Sequence, residues 1–292
     1  MNNVKPSLTL YSFNDMWHPA LLLLLILIAV CYVFVTGRWR GRFPNSTPAT
    51  RSQQFYFFSG LFLYYAVQGS PWKVVGEYLF SAHMITMTIS YLCVPPLILL
   101  GIPKWFWKPV LNMPVMYKIL KTFTKPFFAV VFFNALFSFV HLPLVFNYIM
   151  SHMYWMPVTN GVLLLTGFFM WWPVITPLPE MRQLSYLMKM GYLFADGMLL
   201  TPACALLAFS NHMAYDAYSN VPQLVWFMTP EWDQQAAGVF MKVIQEITYG
   251  IALCIVIYKW ITTERKRGVK EDPYTTSAMG RTMRTMPSTG KK

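Results

Sequence analysis

Three of the five histidines in this 292-residue chain are followed directly by methionine, at His83-Met84, His152-Met153 and His212-Met213. The chain holds 20 methionines, and one stretch reads Met150-Ser151-His152-Met153-Tyr154-Trp155-Met156. His83 and Met87 stand at i, i+4, so on a helix they share a face. Imidazole beside thioether is a donor set suited to copper, above all Cu(I). Hard cations such as Ca²⁺ or Mg²⁺ want carboxylate oxygens, and Asp and Glu together number only 11. Structural zinc wants thiolates. Cys31, Cys93, Cys204 and Cys254 form no CxxC pair, and each falls within an apolar run, where it reads as a packing residue.

The elements that must carry these donors are membrane helices. Charged residues make up 12% of the chain and hydrophobic ones 56%, against about a quarter charged in a soluble domain. Seven stretches approach the roughly 20 apolar residues a span needs: 18–36, 53–69, 77–100, 125–148, 157–175, 186–209 and 236–261. The second is the weakest, being short and closed by Gly69-Ser70-Pro71. None shows the period-2 alternation of a membrane barrel. The first lacks a small-residue cleavage site and reads as a retained helix. The expected fold is therefore an all-α, polytopic membrane protein with seven transmembrane helices.

Charge orients it. All but Lys5, Lys73 and Lys242 of the 23 basic residues fall in the first, third and fifth loops or from Lys259 onward. The positive-inside rule puts that side in the cytoplasm, with the N-terminus outside and the C-terminus cytoplasmic. Membrane topology thus accounts for the net charge of +12, and a nucleic-acid partner is not expected. Residues 1–263 read as the transmembrane domain and 264–292 as a basic, disordered cytoplasmic tail. No internal repeat, nucleotide-binding Gly motif or Ser/His/Asp set is present.

Orientation gives each histidine a depth. His18 stands at the outer end of the first helix. His83 lies about 9 Å in from Glu77 at roughly 1.5 Å per residue. His141 falls near the outer end of the fourth, His152 in the following external loop, and His212 just past the sixth. All five occupy the outer half. His83 and His141 lie within spans, where an ionisable group is costly and faces the bundle interior. The seventh helix opens Glu231-Trp232-Asp233-Gln234-Gln235, with Met241 two turns deeper. Asp233 either caps that helix or forms an anionic lip that draws in a metal or orients a ligating His. Asp196 and Glu246 fall near the midplane with Lys242 close by, as an ion pair or a proton path. Pro95-Pro96, Pro143 and Pro202 are expected to bend their helices.

Taken in order, Trp17-His18-Pro19, Ser81-Ala82-His83-Met84, Pro95-Pro96-Leu97-Ile98-Leu99-Leu100-Gly101, His141-Leu142-Pro143 and Asp233-Gln234-Gln235 with Gly238 resemble the CtaG family of Bacillus-type bacteria. These are membrane factors for assembly of caa3-type cytochrome c oxidase. The resemblance covers about residues 12–262. It implies a role in forming active oxidase at the copper-insertion stage, and it points to His83, His141 and Asp233-Gln234-Gln235. The chain departs from the family pattern at Thr86-Met87-Thr88, where many relatives are expected to carry Gln and a second His. That leaves one imidazole beside His83 and favours Met84 or Met87 as ligands.

The reading is a plasma-membrane assembly factor for cytochrome c oxidase, not an enzyme. It would bind copper at the outer face and pass it to an oxidase subunit by ligand exchange. Expected ligands are His83, His141, Met87, Met84 and Met241, with His18 and Asp233 at the entrance or behind the ligands. Two other readings stand beside it. One is a haem-binding electron-transfer protein using His83 and His141 as axial imidazoles. The other is a metal-free assembly scaffold. A retinal receptor is disfavoured, since Lys242 reads as too near the outer face and Lys259 as too near the inner one.

Overall fold

Proline starts much of this chain's secondary structure. At the first helical position its missing N–H costs nothing and its fixed φ suits the helix. The computed structural model describes residues 11–271 apart from 179, 180, 182, 183, 220 and 223. Helix α1 (Phe13–Trp17) is opened by a reciprocal Ser12–Asp15 capping box and ends at His18 in the left-handed region, φ 36°. Helix α2 (Pro19–Thr36) follows at once, apolar on every side. Helix α3 (Arg51–Gln68) is opened by a Thr50–Gln53 capping box, and α4 (Pro71–Tyr78) by Ser70. Helix α5 (Phe80–Thr88), a π-helical turn (Ile89–Cys93) and α6 (Val94–Gly101) form one continuous 22-residue rod. Then come α7 (Lys108–Leu111), α8 (Pro114–Phe123), α9 (Pro126–Val140) and α10 (Pro143–Ser151). Helices α11 (Trp155–Ile175), α12 (Tyr186–Ala208), α13 (Asp216–Ser219) and α14 (Pro230–Glu271) complete the chain.

Five stretches among the described residues are long and apolar enough to cross a membrane: Phe13–Thr36, Phe80–Gly101, Trp155–Ile175, Tyr186–Ala208 and Pro230–Arg267. They become six if α8 and α9, which meet at a 76° bend, count as one. The sequence predicts seven, and the differences have local causes. The second expected span forms α3, but Arg51, Ser52, Gln53, Gln54 and Gln68 make it too polar to count. The fourth, expected over 125–148, stops at Val140. Pro143 drives Leu142 out of the helical region, to φ −65° and ψ 131°, and the chain restarts as α10. The kink expected at Pro95-Pro96 is taken up by the π turn just before the prolines, which absorbs the backbone bonds they cannot make. The last helix runs to Glu271, beyond the boundary expected at 263; the rest of the expected tail, 272–292, lies outside the described residues.

Side-chain contacts sort the helix ends into two groups. At the basic end, Trp105 Nε1 donates to the Thr47 carbonyl at 2.8 Å, Trp107 meets Trp172, and Lys189 Nζ donates to the Val174 carbonyl at 2.7 Å. At the histidine-bearing end, Tyr11 donates to the Tyr78 hydroxyl, Asn147 to Asp216, and Gln235 to the Ser210 carbonyl. The core between them draws Met84 and Met87 of α5, Phe133 and Phe137 of α9, Met170 and Trp171 of α11, Leu200 and Cys204 of α12 and Met241 of α14 into one buried cluster. Lipid is as apolar as these side chains, so close packing and polar contacts hold such helices together. The α12–α14 contact is close: a Cβ on Gly238 would lie 2.6 Å from the Cys204 carbonyl and 2.5 Å from the Ala208 nitrogen.

Candidate functional site

At the histidine-bearing end a cavity of about 330 Å³ gathers His83 and Met87 of α5 with Met150, His152, Met153 and Met156 around the α10–α11 turn. Lys73 and Glu77 of α4 and Tyr218 of α13 share its lining. Two imidazoles and four thioethers therefore face one space. The His83 Nε2 atom is buried without a hydrogen-bond partner. The His152 Nδ1 lies 2.8 Å from the Tyr148 carbonyl. A carbonyl only accepts, so Nδ1 carries the proton and the Nε2 lone pair is free. Metal-ligating histidines are commonly held in this way. Among the described residues no three His, Cys, Asp or Glu side chains converge on one point, so a metal in this cavity would need the thioethers.

The expected ligands separate. His83 and Met87 line the cavity. Met84 and Met241 are instead sealed in the core. His141 is fully buried and does not line the cavity, though it lies within electrostatic reach of His83. Its ring stacks on Phe137, and its Nδ1 lies 2.6 Å from the Phe137 carbonyl. That fixes the tautomer and leaves a buried Nε2 without a partner. His18, at the α1–α2 junction, lies within electrostatic reach of Lys73 and Glu77 on the cavity wall.

Asp233 does not cap its own helix. It is buried, and its carboxylate accepts the N–H of Phe80 at 2.6 Å and of Ser81 at 3.1 Å. It thus caps the helix that carries His83, not its own. Leu79, at the N-cap position of α5, makes no side-chain cap bond; the carboxylate from α14 supplies the missing acceptor and its charge suits the positive helix end. Gln234 next to it bonds Ala214 and His212, and Gln235 bonds Ser210. The three residues tie α14 to two segments, the start of α5 and the 210–214 loop that follows α12.

Sequence reasoning missed Tyr215 and Tyr218. Tyr215 donates to the His141 carbonyl at 2.6 Å and Tyr218 to the Gly76 carbonyl at 2.7 Å. Their rings enclose Phe80 at 4.5 and 4.9 Å, and Phe146 lies edge-on to His83. Burial pushes both phenols above their ordinary pKa, so they remain neutral donors. An aromatic pair three apart after the sixth span was the available signal.

Deeper in the bundle, Asp196 is fully buried and accepts from Asn134 Nδ2 at 2.5 Å. Tyr249 stands near the same carboxylate without closing a well-formed bond. Lys242 pairs with Glu246 at 2.7 Å and donates to Thr201 and the Gly197 carbonyl. Gly197 is the central residue of α12, so the Lys242 ammonium sits deeper than its sequence position suggests.

No curated protein and no solved structure matches the chain. One family model does, described as cytochrome c oxidase caa3 assembly factor (Caa3_CtaG), over residues 30–263. That match spans well over half of the sequence and includes every cavity-lining residue named above. The chain belongs to the CtaG family of caa3 cytochrome c oxidase assembly factors.

Proposed function

We propose that this chain is a copper-handling member of its family, taking Cu(I) as cargo at the outer face of the plasma membrane and delivering it to an oxidase subunit. The observation that carries this reading is the meeting of His83, His152, Met87, Met150, Met153 and Met156 around one cavity. Imidazole with thioether is a soft donor set that favours Cu(I). His83 and Met87 would hold the ion from the rigid helix, and the turn residues would complete the site and release it by ligand exchange. His18, Lys73 and Glu77 stand at the approach. His141, fixed by Phe137 and Tyr215, is a buried imidazole behind the cavity. A haem held by His83 and His141 fits less well, because His141 does not line the cavity.

Seven spans fit this reading. Helix α3 runs from the basic end at Thr50 to Gln68 beside the cavity, and α9 runs from Lys125 to His141. Counting both restores seven crossings, with the N-terminus and the cavity outside and the basic loops in the cytoplasm.

The test is an anaerobic Cu(I) competition titration of purified protein against a chromophoric chelator. His83→Ala and the double variant Met153→Ala/Met156→Ala are run beside wild type. Each is expected to weaken binding at least about tenfold, or roughly 1.4 kcal/mol. Wild-type protein that fails to compete would remove copper handling and leave a metal-free scaffold. Tight binding unchanged in both variants would move the site elsewhere.

A further inference from the structure

The Lys242–Glu246 pair is misplaced for a helix that faces lipid. The Glu246 side chain is 60% exposed and that of Lys242 33%. Both Lys242 Nζ and Gln245 Nε2 donate to the carbonyl of Gly197, the central residue of the α12 span. The pair therefore sits at mid-membrane depth, on the outside of the bundle. Its surroundings are apolar: Val243, Ile247 and Ile251 beside it on α14, and Phe194 and Met198 on α12, are all exposed. Among the described residues, Lys242 is the one polar contact of the Glu246 carboxylate. A charge at this depth is costly unless something covers it.

The same ridge continues at i, i+4 steps through Gly250 and Cys254. A Cβ on Gly250 would meet nothing within 4 Å, and Cys254 is exposed. A small residue one turn from a polar pair lets another helix backbone come close. The charges say which helix. Across a two-fold axis along the membrane normal, two α14 helices run parallel. Lys242 of each copy then lies about 6 Å in depth from Glu246 of the other, at 1.5 Å per residue. Both long side chains reach, so the patch is complementary to itself, as a two-fold interface requires.

We propose that the Lys242–Glu246–Gly250–Cys254 ridge of α14 is the contact surface between two copies of this chain in the membrane. Covering it satisfies both carboxylates with a shared network of four charges and removes them from lipid. This holds whether or not the cavity binds copper.

The test counts subunits by single-molecule photobleaching of the full-length, fluorescently tagged chain in lipid vesicles. Wild type is expected to bleach mainly in two steps. The double variant Lys242→Leu/Glu246→Leu is expected to bleach in one while keeping its melting temperature, since leucine suits a lipid-facing surface. The charge-swapped variant Lys242→Glu/Glu246→Lys should regain two steps. In a Cys31→Ser background, two copper(II)–phenanthroline complexes should take one electron each from a pair of Cys254 thiols, whose two protons pass to the buffer. The product is a disulfide-linked species of about twice 33.9 kDa. A wild type that bleaches in one step, a dimer that survives the leucine variant, or Cys254 linked to a different protein would each overturn the proposal.

Discussion

Replacing Asp233 by alanine tests whether the histidine-bearing end is built from the far end of the chain. The carboxylate accepts two N–H groups, those of Phe80 at 2.6 Å and Ser81 at 3.1 Å, both in residues buried to 6% exposure or less. Alanine leaves both donors without a partner, in a place water does not reach. A buried unsatisfied donor costs about 1–3 kcal/mol, so the pair costs about 2–6 kcal/mol. At about 2–4 °C per kcal/mol this is a fall in melting temperature of roughly 4–24 °C. Asp233→Asn keeps one acceptor oxygen and should lose about half as much. The assay is intrinsic fluorescence against temperature in lipid nanodiscs, read by the 11 tryptophans. His83 lies three residues past Phe80, so the alanine variant should also bind Cu(I) more weakly. A melt indistinguishable from wild type would refute the capping argument. Weaker copper binding with an unchanged melt would return Asp233 to the role of an entrance carboxylate.

Two further substitutions probe how the elements are held. Gly238→Ala puts a methyl group 2.5 Å from the Ala208 nitrogen and 2.6 Å from the Cys204 carbonyl, both backbone. The α12–α14 pair must part, costing about 1–3 kcal/mol in the same melt. Tyr215→Phe removes the 2.6 Å bond to the His141 carbonyl and should cost about 0.5–1.5 kcal/mol. A Tyr215→Phe melt equal to wild type would mean that this bond does not hold the α12–α14 connection over the site.

What could be read from residues alone was whatever has a short period. The i, i+4 spacing of His83 and Met87 survives intact, because helix geometry dictates it once the helix is granted. The Lys242–Glu246 pair is another i, i+4 case, and of the pairings open in the sequence this is the one formed. The break at His141-Leu142-Pro143 was half legible: proline announces a bend, but not that the helix would stop. What depends on the order of helices around the bundle was out of reach. Met84 and Met87 are three residues apart on one helix and both are buried, yet only Met87 also lines the cavity. Nothing in their spacing says which neighbour each face meets. Asp233 is the sharpest case. A carboxylate near a helix start reads as a cap for that helix, and a cap for a helix 153 residues away carries no local signature. His152 has three methionines within four residues, but only the fold brings that turn to α5.

The link from Asp233 to Phe80 also sets an order of events during biogenesis. At ~5–20 residues per second, the 153 residues separating the two take roughly 8–30 s to synthesise. For that interval the start of α5 is already in the membrane, with His83 beside it, and lacks the acceptor it will have in the finished protein. The histidine end of the nascent chain is thus held incomplete until its last helix arrives, and an unfinished or truncated chain lacks the cap that holds the start of α5 beside the cavity.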